Sequence, residues 1–494
     1  MNLQQLISNL KEKQLIGNPD IEITEVVTNS RKVVPGALFI CIPGFKVDGH
    51  DYINEAIQRG AKSILISKDV PLLPSVTYIK VPDCRQAIST IADTFYDSPS
   101  SKLKLIGITG TNGKTTTAYF IESMLNTAGY KPACISTISY KIAESETPSV
   151  QTTPEALELQ SILAQAVENT VTHVVMEVSS HALALHRTLN CNFDTAIFTN
   201  ITQDHLDFHK TKADYLAAKL KLFQQLPQSG VAIINIDDYH AQDIISNTQA
   251  KIITYGLSDK AQIYACDIES TTMKTSFFLK CIKELGIEPT RINLKLIGGH
   301  NVYNALAAIG YGIVEQIDIQ TIKEGIERLQ GVRGRFELID MGQNFTVVID
   351  YAHTPDGLEN VLLSSKKLQP NKKIITVFGC GGDRDKEKRP QMGKISTTLS
   401  DYTILTADNP RNEDPEEIIK EIEAGIEGKP YEVIIDRTQA ITKALSYAKE
   451  GDLVLIAGKG HETYQIFKDK KIHFDDKEIV EKVLGEVNSW RVRS

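Results

Sequence analysis

The sequence predicts an α/β protein of three domains: a small N-terminal α/β domain, a central P-loop domain whose mostly parallel sheet is flanked by helices, and a C-terminal Rossmann-like α/β domain. Three observations predict it. Short apolar runs rich in β-branched residues alternate with helix-length segments along most of the chain. A strand, a glycine-rich turn and a helix follow one another at Leu105-Ile106-Gly107-Ile108-Thr109-Gly110-Thr111-Asn112-Gly113-Lys114-Thr115-Thr116, the order of a phosphate-binding loop. A length of 494 residues is enough for two to four domains, each with its own core.

Composition narrows the class. The net charge of −8 comes with no basic block, which argues against a nucleic-acid partner. Seven scattered cysteines without a C-x-x-C pair argue for a reducing compartment and against a zinc cage. The first residues lack a charged region followed by an apolar one, and no apolar run approaches a membrane span. The expectation is a cytoplasmic protein without membrane insertion, acting as a monomer.

In chain order, residues 1–101 form the first domain. Leu3, Leu6, Ile7 and Leu10 have helical spacing. Ala37–Ile42 and Ser63–Ser67 read as buried strands, with a helix over Tyr52–Arg59 between them. Thr28–Arg31 and Gly44–Asp51 are polar clusters open to either turn chemistry or binding. Asp97–Ser101 is the best linker.

Residues 102–331 form the central domain. Backbone N–H groups of its glycine-rich loop would face phosphates at a helix N-terminus, Lys114 adds a full charge, and the Thr115 hydroxyl can ligate Mg2+. The strict loop pattern wants glycine where Ile108 stands; the glycines fall instead at Gly107, Gly110 and Gly113. The P-loop helix is read over Thr116–Ala128, and Thr153 is read as the cap of a helix beginning at Pro154. Two strands end in polar runs, His173–Met176 in Glu177-Val178-Ser179-Ser180-His181 and Thr195–Thr199 in Asn200–His209. Ligands of open α/β sheets bind beyond such carboxyl ends, and this oxygen-rich set suits a hard metal. On the helix Thr211–Gln225, Lys219 flanks the stripe of Leu216, Leu220 and Phe223; it either snorkels to solvent or is held near the metal cluster. Residues 250–295 read as sheet extension, and Gly298–Asn304 opens a helix with Asn301 and Asn304 on one face.

Residues 332–494 form the third domain. Four apolar strands end in polar loops, at Asp350–Pro355, Gly379–Asp385, Ala407–Pro415 and Gly458–Glu462. Guanidinium forks bind carboxylates and acidic groups receive ammonium, so these loops suit a zwitterion such as an amino acid.

With those residues in view, the chain resembles the Mur ligases, ATP-dependent peptide ligases of peptidoglycan precursor synthesis, over essentially its whole length. The motifs are Gly107-x-x-Gly110-Thr111-Asn112-Gly113-Lys114-Thr115, Glu177-Val178-Ser179-Ser180-His181, Asn200-x-Thr202-x-Asp204-His205-x-Asp207, Gly299-x-Asn301-x-x-Asn304 and Asp350-Tyr351-Ala352-His353. The family's loop spaces its glycines as here, which accounts for Ile108. Asp408-Asn409-Pro410-Arg411 is similar to the signature of members that add meso-diaminopimelate to UDP-N-acetylmuramoyl-L-alanyl-D-glutamate through an acyl phosphate.

The resemblance implies ATP phosphates on Gly110, Thr111, Asn112, Gly113, Lys114, Thr115 and Thr116, with adenosine contacts from Asn301, Asn304, Arg335 and Asp350. It implies Mg2+ at Thr115, Glu177 and His205, with Lys219 as the lysine carbamylated in many members. It implies the nucleotide dipeptide at Ser30, Thr152, Thr153, Ser179 and Arg187, and diaminopimelate at Arg384, Asp408, Asn409, Pro410, Arg411, Gly458 and Glu462. Leu185 stands where some relatives have a substrate-contacting glutamine and is left outside the set. The competing readings are a lysine-adding synthetase, a folylpolyglutamate synthetase, and a P-loop nucleotide-binding regulator without ligase activity.

Overall fold

Each apolar run forms a strand, and the strands gather into three successive large sheets and a small two-stranded one, Tyr464–Phe467 with Lys470–His473, in the computed structural model, which describes residues 1–491 apart from 46, 272 and 273. Lys46, inside one of the polar clusters noted above, therefore lies outside the described residues. The first sheet runs Gln14–Ile16, Thr77–Lys80, Ser63–Ile66, Leu38–Ile40, Val26–Val27, parallel except at the Gln14–Ile16 edge. Helical spacing at the N-terminus reported burial more than helix length. Only Leu3–Leu6 is helical, yet Leu3, Leu6, Ile7 and Leu10 all enter one core. The chain turns at Ser8-Asn9, side chains that favour turns over helix.

The second sheet has eleven strands. Its middle is parallel, with Lys104–Thr109 between His173–Glu177 and Thr195–Phe198. Antiparallel strands extend both edges, including Thr275–Cys281 and Thr290–Leu294 from the segment read as sheet extension. Alternation along Lys104–Thr109 builds two cores. Ile106 and Ile108 pack with Phe120, Ile121 and Met124 of helix Lys114–Thr127 and with Leu306 of helix Gly299–Val314. Leu105 faces Leu163, Phe193 and Phe223 on the other side. Gly107 shares that second face, where a Cβ would stand 2.7 Å from Phe193 Cε1. Ile108 is thus a strand residue, fully buried, and the loop itself opens only at Gly110.

Two helix starts differ from expectation. The P-loop helix begins at Lys114, directly after Gly113 at φ +86°, so the lysine lies in its first turn. The helix after Thr153 spans Ala156–Glu168 with Glu155 at its cap. Thr153 is drawn instead to the neighbouring strand end: its hydroxyl donates to Glu177 O (2.8 Å) and accepts from Ser179 N (3.0 Å).

The third sheet runs Glu337–Ile339, Thr346–Asp350, Leu453–Ala457, Ile374–Phe378, Tyr402–Leu405, Tyr431–Val433, parallel except for its first strand. Apolar cores cover both of its faces. Its polar loops emerge together from the carboxyl ends of four adjacent strands.

Candidate active site

The loop after Lys104–Thr109 forms one wall of a cavity of about 360 Å³. Thr111 to Thr116, Asn301, Asn304, Arg335 and Asp350 line it, so the expected nucleotide residues from two sheets, all but Gly110, meet in one place. Lys114 Nζ donates to Gly110 O (2.9 Å) and Thr111 O (2.8 Å). Burial pushes its pKa below the ordinary lysine value, against the pull of Glu177. A Cβ at Gly113 would collide with Asn304 Oδ1, so only glycine lets the loop approach that helix. Asn304 Nδ2 donates to Asn301 Oδ1 (3.0 Å), fixing both amides. Asp350 accepts from Phe336 N (2.6 Å) and Ala352 N (2.7 Å). Arg335 Nη2 reaches Thr115 Oγ1 (2.9 Å), and its guanidinium lies 4.7 Å over the Tyr351 ring.

Lys219 does not snorkel. It is 1% exposed, and its Nζ donates to Gly110 O (2.8 Å), the same carbonyl that Lys114 uses. Burial first, and the Lys114 charge second, push its pKa well below that of an ordinary lysine. Glu177 is fully buried at its strand end, and its carboxylate accepts from Thr137 N (2.8 Å) and Thr137 Oγ1 (3.1 Å). Burial lowers the His205 pKa to about 3, so its imidazole is neutral and able to donate a lone pair. Beside it, 3.2 Å away, the Asp204 carboxyl is held at about 2: burial opposes its ionisation, but His205, His353 and Lys388 outweigh that.

Among the described residues no three His, Cys, Asp or Glu side chains stand at metal-binding spacing. The donor chemistry nevertheless fits a hard dication. A threonine hydroxyl has a second lone pair beyond the one Arg335 uses, and both Glu177 and Asp204 act on the Lys114 charge from close by.

A second cleft, of about 840 Å³, opens beyond the strand ends of the central and third sheets. From the central side it is lined by Thr152, Thr153, Ser179, Arg187, Asp204 and His205, and from the third sheet by Arg384, Asp408, Asn409, Arg411, Gly458 and Glu462. Arg187 spans the central side, donating to Thr153 O (2.9 Å) and pairing with Glu155 (2.6 Å). On the opposite wall Asn409 Nδ2 donates to Glu462 Oε2 (2.8 Å). Arg411 Nη1 donates to Gly382 O (2.8 Å), and Arg384 Nη1 to Asp383 O (3.0 Å). Pro410 lies off the cleft, its carbonyl packed on Gly382 so closely that no Cβ fits there. Gly458, at φ +111°, leaves room for Asp408: a Cβ would lie 2.9 Å from its Oδ2. Ser30 lies elsewhere, in a cavity of about 450 Å³ shared with Arg187 and Leu185, and its hydroxyl donates to Glu55 Oε2 (2.9 Å).

Several site residues were outside the expected set. Asp204 and His353 stood in the quoted motifs without a role. Lys388 lines the larger cleft and donates to His353 O (2.8 Å). Lys459 is fully buried and meets Glu462 Oε2 (2.9 Å) and Asn409 Oδ1 (3.3 Å). Asp356 accepts from Asn112 Nδ2 (2.7 Å) across the nucleotide cavity. Lys459 was discoverable, since it sits between two flagged residues; nothing in the sequence singled out Lys388 or Asp356.

A P-loop at the centre of one parallel sheet, facing the strand ends of a second, defines the class of nucleotide-dependent ligase folds. The family models agree along the chain: "Mur ligase family, catalytic domain" over 22–96, "Mur ligase middle domain" over 108–312 and "Mur ligase, glutamate ligase domain" over 334–460. The chain belongs to the Mur ligase family. It is 46% identical over 489 residues to UDP-N-acetylmuramoyl-L-alanyl-D-glutamate--2,6-diaminopimelate ligase 1 of Clostridium acetobutylicum, covering 99% of this chain and 100% of the relative. It is 43% identical to the ligase of the same substrates in Bacillus cereus, covering 99% and 100%. Among solved structures, a UDP-N-acetylmuramoyl-L-alanyl-D-glutamate--2,6-diaminopimelate ligase matches with a TM-score of 0.69 and 31% identity over 99% of both chains. The MurF ligase of Thermotoga maritima in complex with ADP shares the fold, with a TM-score of 0.65 at 19% identity over 95% of this chain and 98% of that one.

Proposed function

We infer that this chain is an ATP-dependent, ADP-forming amide ligase that adds meso-2,6-diaminopimelate to UDP-N-acetylmuramoyl-L-alanyl-D-glutamate in peptidoglycan precursor synthesis. The observation that carries the reading is the presence of two guanidiniums, Arg384 and Arg411, together with two carboxyl groups, Asp408 and Glu462, on one wall of a cleft whose other wall holds Thr152, Thr153 and Ser179. Diaminopimelate carries an ammonium and a carboxylate at each end. Acidic groups receive the one and guanidinium forks the other. Lysine lacks the second carboxylate, so an arginine dedicated to it favours diaminopimelate. We take the domains as 1–101, 102–331 and 332–494, and the protein as a cytoplasmic monomer.

In the reaction, an oxygen of the dipeptide's terminal carboxylate bonds to the γ-phosphorus of ATP, and the bond from that phosphorus to the β-bridging oxygen breaks, releasing ADP. The diaminopimelate amine then attacks the acyl carbon, and phosphate leaves from the tetrahedral intermediate. Lys114, at the N-terminus of its helix, holds the charge that develops on the transferring phosphoryl group. Asn301, Asn304, Arg335 and Asp350 bind the nucleoside, and Ser30 and Arg187 the nucleotide dipeptide. Thr115, Glu177, His205 and a carbamylated Lys219 would hold Mg2+, which when bound supplies charge neutralisation on the phosphates. Burial, which pushes the Lys219 pKa well below that of an ordinary lysine, suits carbamylation: its nitrogen bonds to CO2 carbon and releases a proton, turning a buried amine into a carboxylate ligand.

Phosphate release tests the reading. ADP and phosphate should form at full rate only when ATP, the nucleotide dipeptide and diaminopimelate are all present, with lysine a poor competitor. Release independent of either acceptor, or equal use of lysine, would overturn it.

A further inference from the structure

Behind the cleft wall lies a guanidinium that lines none of the cavities described above. Arg389, the second residue of helix Lys388–Leu399, is 0% exposed. Its Nη1 and Nη2 form a fork on Glu413, with both distances 2.9 Å; Nη1 also meets Glu421 Oε2 (2.6 Å), and Nη2 donates to Gly381 O (3.2 Å). Glu413 Oε1 in turn accepts from Asp383 N (2.5 Å). Gly381 and Asp383 belong to the loop that carries Arg384; Glu413 lies two residues beyond Arg411. One buried fork therefore ties together the two loops that present the cleft's guanidiniums.

These loops need a tie. Asp383 and Arg411 both adopt left-handed backbone, at φ +52° and +54°, which non-glycine residues enter only when their surroundings hold them there. Arg411 and Arg384 also repel each other: burial first, then the Arg384 charge, lowers the Arg411 pKa. Lys386 pairs with the same two glutamates, at 3.1 Å and 3.3 Å, from the solvent side. The Arg389 guanidinium is buried while its carboxylate partners stay partly exposed, so its desolvation is offset only where the fork geometry is kept, and its position holds the two loops to one spacing.

We propose that Arg389 is a positioning residue for amino-acid specificity, setting through Glu413 and Gly381 the separation of Arg384 from Arg411. The proposal rests on the reading of this wall as the diaminopimelate site. A substrate with a carboxylate at its far end needs both guanidiniums at fixed spacing, whereas the residues assigned to ATP and to the nucleotide dipeptide lie on other loops.

The test is the steady-state kinetics of Arg389→Lys in the full-length protein. Lysine keeps the buried charge but cannot fork onto Glu413 and reach Gly381 O together. The KM for diaminopimelate should rise roughly tenfold or more, since misplacing a binding group by about an ångström has effects of that order. The KM values for ATP and nucleotide dipeptide should stay within about threefold, as should kcat, and the preference over lysine should fall. A folded variant in which the diaminopimelate KM is unchanged, or in which all parameters worsen together, would overturn the proposal. Should Arg389→Lys fail to fold, Glu413→Gln decides, because it keeps the volume and an acceptor for Asp383 N while losing the charged fork; an unchanged diaminopimelate KM there refutes the proposal equally. Arg411→Ala is the control. If it leaves the diaminopimelate KM unaltered, the assignment of the wall itself fails, a result distinct from failure of Arg389 alone.

Discussion

Removing the Arg411 side chain separates the two amino acids this cleft could accept. In Arg411→Ala the backbone should stay in place, because Arg411 N still donates to Ile466 O (3.0 Å) and its carbonyl still accepts from Lys468 N (2.5 Å). What is lost is a half-buried guanidinium, one nitrogen of which is held on Gly382 O while the group faces the cleft. A hydrogen bond to a charged partner contributes roughly 1.5–3 kcal/mol. At about 1.4 kcal/mol per factor of ten, kcat/KM for diaminopimelate should fall roughly 10- to 150-fold. L-Lysine offers no second carboxylate, so its kcat/KM should move by less than about threefold. The assay is phosphate release at saturating ATP and nucleotide dipeptide, with each amino acid titrated in turn. An equal fall for both would show that Arg411 shapes the loop instead of reading the substrate, and would refute the specificity argument.

Two further outcomes test other parts of the structure. Lys219→Ala should lose at least roughly a hundredfold in turnover, within the range for removing a group that stabilises developing charge, and added short carboxylates should restore part of it; intact-mass analysis of the parent should show one additional CO2, and near-parent turnover in the variant would remove Lys219 from the mechanism. Glu315 accepts from Lys104 (2.8 Å) and lies 3.6 Å from His173; burial opposes its ionisation, but these partners hold its carboxyl at about 2 against an ordinary 4.5. A depressed folded-state pKa stabilises above the unfolded value and is lost as pH falls through the folded one. Glu315→Gln should therefore cost about 1–2 kcal/mol in urea unfolding at pH 7, reduced from the full shift because Lys104 is half exposed, and the gap should close between pH 4.5 and 2; a gap independent of pH would refute the pairing.

The alternation of apolar runs and loops was enough to read the sheets, because burial on both faces of a parallel strand leaves a continuous hydrophobic signature. The polar residues at strand ends were legible for the same reason, since a charged run directly after a buried strand has few structural uses. Helix starts were less legible. Thr153 looked like a cap, but a hydroxyl beside a strand end has a competing partner in Glu177 O, and only the fold reveals it. Lys219 shows a second limit. Its place on the apolar flank was readable, whereas its burial depends on Gly110 O, more than a hundred residues earlier in the chain. Arg389 and Asp356 were invisible because their partners lie on other loops and their spacing follows no local period.

The register of the third sheet links the cavity around the P-loop to the larger cleft. Asp350, on the nucleotide cavity, pairs in register with Ala457, and Gly458 N donates to Asp350 O (3.0 Å). Gly458 opens on the acceptor cleft beside Asp408, and neighbouring strands are only about 4.8 Å apart. A rigid sheet cannot move one of these residues without the other. Across the gap, Arg335 on Thr115 and Asp356 on Asn112 join this same sheet to the P-loop. Any displacement of the third domain that alters the grip on the nucleotide must therefore also shift the guanidinium-bearing loops relative to Thr153 and Ser179. On the proposed assignment of the two sites, the arrangement that brings amine and acyl carbon together is also the one that closes around ATP, which would tie cleavage of the nucleotide to the presence of an acceptor.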